Sequence, residues 1–189
     1  MRHHGLYGRA HTAQTPMLND IYNKRILELA ADIPRLGRLA NPQASATAHS
    51  KLCGSTVTVD LALDGDVVSD FAHDVKACAL GQASSSIMAR AIVGATAQEL
   101  RLVREAMRKM LKEGAEPPSG RWEELRVLEP VRDFKARHAS TLLTFDAVVD
   151  ALDQIEARRA APAAQHSEAP GKAPVATSGE AHLAAPAAE

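Results

Sequence analysis

The sequence predicts an α+β fold, a small antiparallel β-sheet with helices packed on one face. Three observations carry this. A strict apolar/polar alternation runs from Thr56 to Leu63 and resumes beyond Asp64-Gly65, the pattern of a half-buried hairpin. At Ala79 the period changes from two to that of a helix, and it stays helical to about residue 155. One more amphipathic segment precedes the strands. The order is helix, strands, helices, with no strand–helix alternation of the kind a parallel sheet needs.

Asn19 or Asp20 caps a first helix whose apolar residues fall at Tyr22, Ile26, Leu29, Ala30 and Ile33. Pro34 and Gly37 end it. Residues 38–52 read as a polar loop. In the first strand Val57, Val59, Leu61 and Leu63 point one way, and Thr56, Thr58, Asp60 and Ala62 the other. Asp64-Gly65 predicts a type I′ turn, because glycine accepts positive φ. The returning strand then offers Val67, Phe71 and Val75 to the apolar face.

Leu80, Ala83, Ile87, Ala91 and Ile92 mark the next helix. Its first half is small (Gly81, Ala83, Ser84, Ser85, Ser86), which lets another backbone come close. Gly94 ends it. Thr96-Ala97-Gln98-Glu99 spells a capping box, followed by the stripe Leu100, Val103, Met107 and Met110. Residues 114–120 read as a loop and 122–128 as a short helix. A last helix carries Leu142, Phe145, Val148, Val149, Leu152 and Ile155.

The 189 residues allow one domain with extensions. Residues 1–16 are polar and lack the apolar region of an export signal, so they read as a flexible extension, with Met17 a second candidate start. Residues 157–189 are rich in Ala and Pro without an apolar period, the composition of a disordered tail. The folded domain is expected over 17–156. A net charge of −1, from 22 basic and 23 acidic residues, excludes the basic field that nucleic acid requires. No apolar run is long enough to span a bilayer. With no export signal, the expected location is cytoplasmic.

Only two cysteines occur, Cys53 and Cys78. In a cytoplasmic protein they read as thiols or metal ligands before they read as a disulfide; two buried free cysteines are the plain alternative. Gly54 leaves the Cys53 thiol uncrowded. Cys78 sits where strand gives way to helix, near a helix N-terminus that favours a thiolate. The hairpin between them folds the two ends toward each other, a soft-metal arrangement. The sulfurs are expected close together at one edge of the sheet.

Several blocks in register resemble the U-type iron–sulfur scaffold family, which includes IscU, SufU and the N-terminal part of NifU. They are Ser50-Lys51-Leu52-Cys53-Gly54-Ser55, the Asp64-Gly65 hairpin, and Cys78 followed by Ala83-Ser84-Ser85-Ser86-Ile87-Met88. Upstream, Tyr22, Ile26, Pro34, Arg35 and Gly37 match; downstream, Val131, Phe134, Ala136, Arg137, Leu142, Phe145 and Ala147 match. The insertion near 113–128 is closest in layout to SufU. The resemblance covers residues 20–155 and implies a SufE/NifU-like fold.

What the family implies is a metal site of three cysteines and an aspartate. Residue by residue, the first two cysteines fall on Cys53 and Cys78, the aspartate on Ser55 and the third cysteine on Ser140. Serine is a poor ligand for iron or zinc. Ser140 alternatively caps the last helix. His138, two residues before Ser140, is a further candidate ligand, with a plain hydrogen-bonded histidine as the alternative. His73, where the family favours an aromatic residue, reads as packing. Arg104, Arg108, Lys109 and Lys112 read as a solvated face or a partner surface, and Arg137 as a holder of a carboxylate or a sulfur anion, or a surface ion pair.

The implied function is a non-enzymatic iron–sulfur assembly scaffold or carrier, binding iron or a cluster through Cys53 and Cys78. Its partners would be a cysteine desulfurase and recipient apoproteins, with a cluster-linked homodimer supplying four thiolates. The alternatives are a zinc-dependent sulfur-relay transferase and a regulator of assembly that binds no metal.

Overall fold

Asn23 caps the first helix, its side-chain oxygen accepting from the Ile26 N–H at 3.0 Å. In the computed structural model, which describes residues 23–161, this helix is α1 (Lys24–Ala31). Tyr22 and the caps expected at Asn19 or Asp20 lie outside the described residues, as do residues 1–16 and 162–189. Ile26 and Leu29 are the buried face of α1, as the spacing predicts.

Three antiparallel strands follow in the order β1 (Ala44–His49), β2 (Thr56–Asp64), β3 (Val67–Lys76). The fold is α+β, as expected. β1 corrects the sequence reading, which took residues 38–52 for a loop. Its inward residues are Ala44 and Ala46, too small to register as an apolar alternation, yet small enough for a helix to lie across them.

Val57, Val59, Leu61 and Leu63 all face the core, as the alternation requires. The turn is different from the one expected. Asp64 pairs with Val67, so Gly65 and Asp66 are the central residues. Only Gly65 has positive φ, at 59°, the pattern of a type II′ turn rather than I′. A bulge between Ala62 and Leu63 then shifts the register, opposing Leu63 to Val68. Val68 is buried and Val67 is 39% exposed. The bulge thus moves the core position by one residue.

β3 is followed by α2 (Ala79–Ala91), α3 (Ala97–Glu113), a 3₁₀ segment (Gly120–Asp133) and α4 (Lys135–Ala160). The 3₁₀ segment extends well beyond the short helix expected at 122–128. At α3, Thr96 accepts from the Glu99 N–H at 3.1 Å. The reciprocal half of the capping box is absent there, because the Glu99 carboxylate instead accepts from Trp122 Nε1 at 2.7 Å. That contact ties the 3₁₀ segment to the start of α3.

α4 crosses the inner face of β1 and β2, and α2 lies between α1 and α4. From Ser140 to Phe145 every residue of α4 is buried, the mark of a helix enclosed on all sides. It continues to Ala160, so residues 157–160 are helical and not part of a tail. No helix among the described residues is long and apolar enough to cross a membrane.

Candidate functional site

Cys53 lies in the loop joining β1 to β2, closed by the His49–Thr56 pair. Ser50 N–H donates to the Ser55 carbonyl, and Gly54 N–H to the Ser50 carbonyl, each at 2.9 Å. Gly54 holds φ at +68°, a conformation that other residues rarely adopt. This tight loop sets two hydroxyls on one sulfur. Cys53 Sγ is 3.3 Å from Ser50 Oγ and 3.0 Å from Ser55 Oγ.

Those contacts lower the Cys53 pKa. The Ser50 hydroxyl contributes most, then Ser55; burial opposes them, and the Ser55 N–H and the Arg137 charge add to the lowering. A thiolate accepts from both hydroxyls at once, whereas a thiol can donate to only one, so the ionised form gains. The side chain is exposed. Exposure together with a lowered pKa describes a reactive cysteine.

Cys78 lies at the N-cap of α2, where the sequence placed it. It is half-buried and packs against the core. Its thiol donates to Ser140 Oγ at 3.5 Å. α2 and α4 approach closely here because position 81 is glycine. A Cβ added at Gly81 would lie 3.0 Å from the Ser140 carbonyl oxygen and 2.7 Å from the Ala77 Cβ. The small residues of α2 therefore let its N-terminus meet α4.

Both thiols sit at the same end of the sheet. Thr56, just after the Cys53 loop, pairs with His49 on one side and with Lys76, two residues before Cys78, on the other. They are also linked through α4. Arg137 shares a surface cleft with Cys53, and its carbonyl accepts from the Ser140 hydroxyl at 3.0 Å. Cys53 thus contacts Ser55, and Cys78 contacts Ser140.

His138 departs from that grouping. It is buried, and its Nε2 lies 3.1 Å from the Val131 carbonyl and 3.0 Å from that of Arg132. The ring thus fastens α4 to the end of the 3₁₀ segment, which is the plain hydrogen-bonded role. Ser140 is not a cap either, since α4 begins five residues earlier, at Lys135. Among the described residues no three His, Cys, Asp or Glu side chains are grouped to hold a metal. The Arg104–Lys112 face is ion-paired, Arg104 to Asp146 and Arg108 to Glu105 and Glu113. Ser50 was missed as a functional residue. Its i, i+3 spacing to Cys53 was the available signal.

The NifU-like N-terminal domain model matches residues 21–141, from α1 through the Ser140 turn. The chain belongs to this family. A solved structure of the N-terminal part of a nitrogen-fixing NifU-like protein from Brucella abortus is 64% identical, with a TM-score of 0.74. It covers 76% of this chain and 99% of its own. An iron–sulfur cluster assembly scaffold protein IscU from Thermotoga maritima is 24% identical over 71% of this chain and 94% of its own length. A zinc-dependent sulfurtransferase SufU from Bacillus subtilis is 24% identical over 69% of this chain and 88% of its own. In this NifU-like domain Cys53 lies in the β1–β2 loop beside Ser55, and Cys78 lies at the N-cap of α2 beside Ser140.

Proposed function

We propose that this NifU-like domain is an iron–sulfur cluster assembly protein, a scaffold or carrier whose cargo is held by Cys53 and Cys78. The observation that carries the reading is that both thiols border the Arg137–Ser140 turn of α4, at one end of the sheet. Thiolates suit iron and its clusters. The relative from Thermotoga maritima carries the same assignment in its name.

The donor set is incomplete in one chain. A cluster normally takes four protein ligands, and the hydroxyls of Ser55 and Ser140 replace none of the missing thiolates. Two copies about a two-fold axis would bring two pairs of cysteines together. Dimerisation would then follow cargo content by mass action. The partners of such a protein are a cysteine desulfurase that supplies sulfur and the apoproteins that receive the cluster, and the expected compartment is the cytoplasm.

The sulfur-relay reading draws on the exposure and lowered pKa of Cys53. It needs no second thiol, and the described residues offer no three-ligand zinc site to go with it. Anaerobic reconstitution separates these readings when iron, zinc and acid-labile sulfide are measured together with mass by light scattering. Iron and sulfide in a dimer support the proposal. A cluster-loaded monomer sinks the two-fold arrangement, zinc alone favours sulfur relay, and no metal at all leaves a regulator.

A further inference from the structure

The cleft beside Cys53 has features that cluster binding does not use. It measures about 470 Å³ and is lined by Leu52, Cys53, Phe134, Lys135, Ala136 and Arg137. That volume lies in the range of small-molecule sites. Its walls carry two cations and no carboxylate. Other arginines are occupied, Arg104 by Asp146 and Arg132 by Glu129. Among the described residues, neither Lys135 nor Arg137 makes an ion pair with its side chain. Leu52, 76% exposed, and Phe134 supply an apolar wall.

An accessible thiol, an apolar wall and two unpaired cations fit one ligand chemistry, a small organic sulfur compound that also bears carboxylates. We propose that this cleft receives such a compound in its disulfide form and that Cys53 exchanges with it, becoming reversibly capped. The Cys53 thiolate attacks one sulfur of the incoming disulfide. A new S–S bond forms to Cys53 as the old one breaks. The other half leaves as a thiolate and takes a proton from water. Cys53 is oxidised and the departing sulfur reduced, so no further oxidant is needed. Lys135 and Arg137 hold the carboxylates during the exchange. Cys78, half-buried against the core and outside the cleft, is spared. A capped Cys53 cannot bind a metal, so the modification would switch the cargo site off until a reducing thiol restored it.

The test uses the full chain, metal-free and in chelator, so it reads independently of whether the protein binds a cluster. Oxidised glutathione, which has two carboxylates on each half, is compared with the neutral bis(2-hydroxyethyl) disulfide. Rates are read as the mass increment on the Cys53 peptide and normalised to a free cysteine amide. The ratio of the two rates cancels the thiolate fraction of Cys53. The anionic disulfide should be favoured roughly tenfold, as two exposed ion pairs allow. The preference should fade at 1 M salt, where screening is nearly complete. Replacing both cations, Lys135→Gln with Arg137→Gln, should remove it. An unchanged ratio in that variant, or modification mainly at Cys78, would overturn the proposal.

Discussion

The Cys78 thiol donates to the Ser140 hydroxyl across 3.5 Å, joining the N-cap of α2 to the first half of α4. Sulfur in place of that hydroxyl would lie beside Cys78 with little backbone change. Ser140→Cys together with Ser55→Asp should therefore convert the site into a closed one, because a third thiolate and a carboxylate join the two native thiols. Zinc retained after dialysis against a weak chelator should rise to about one per chain, the stoichiometry of a closed tetrahedral site. Elemental analysis alongside native mass spectrometry checks this. A variant that stays folded but holds no more zinc than the parent would show that the two pairs do not face a common point.

Cys53 should titrate below the ordinary thiol range. In iodoacetamide alkylation of the Cys53 peptide, the half-rate pH should lie below that of a free cysteine amide measured alongside. Ser50→Ala should raise it more than Arg137→Gln does, because the Ser50 hydroxyl is the largest cause of the lowering and the Arg137 charge the smallest. Identical shifts in the two variants would contradict that order.

Gly81 is where helix packing positions the site. A methyl group there meets the Ala77 Cβ at 2.7 Å and the Ser140 carbonyl oxygen at 3.0 Å. Neither is the end of a flexible side chain. Gly81→Ala should lower stability by about 1–3 kcal/mol, the usual cost of overpacking. It should also loosen the Cys78–Ser140 contact. Urea midpoints report the first effect and faster alkylation of Cys78 the second. A Gly81→Ala protein as stable as the parent would mean that α2 can move away from α4 freely.

How much of this was readable from residues alone differs between elements. Alternation located β2 and β3 because their inward residues are large. It missed β1, whose inward alanines carry no apolar contrast. The Asp64-Gly65 pair placed the turn to within one residue but gave the wrong type. Turn type depends on which residues pair, and the Ala62/Leu63 bulge is not written in any single residue. The cysteines were found because thiols are rare and chemically distinct. Ser50 and Lys135 look like any surface residue until the loop and the start of α4 are placed beside Cys53.

His73 gives a prediction about pH. Its ring is fully buried, stacked edge-on against Phe71 at 5.0 Å, with Nε2 2.9 Å from the Pro34 carbonyl. Nδ1 is buried with no hydrogen-bond partner among the described residues. Burial pushes the pKa down; the Pro34 carbonyl and Asp74 oppose that, without reversing it. The unfolded chain therefore takes up a proton near the ordinary pKa of about 6.5, at pH values where the native ring still refuses it. Stability is full above that pH and falls as the pH drops toward the lower native value, below which His73 causes no further loss. His73→Phe keeps an aromatic ring against Phe71 and removes the titration. The parent's urea midpoint should fall between pH 7 and pH 5, and the variant should lose most of that slope while giving up some stability at pH 7 through the lost Pro34 contact. Parallel slopes in parent and variant would assign the acid sensitivity to other groups, such as Asp60, whose carboxylate is buried against Arg38.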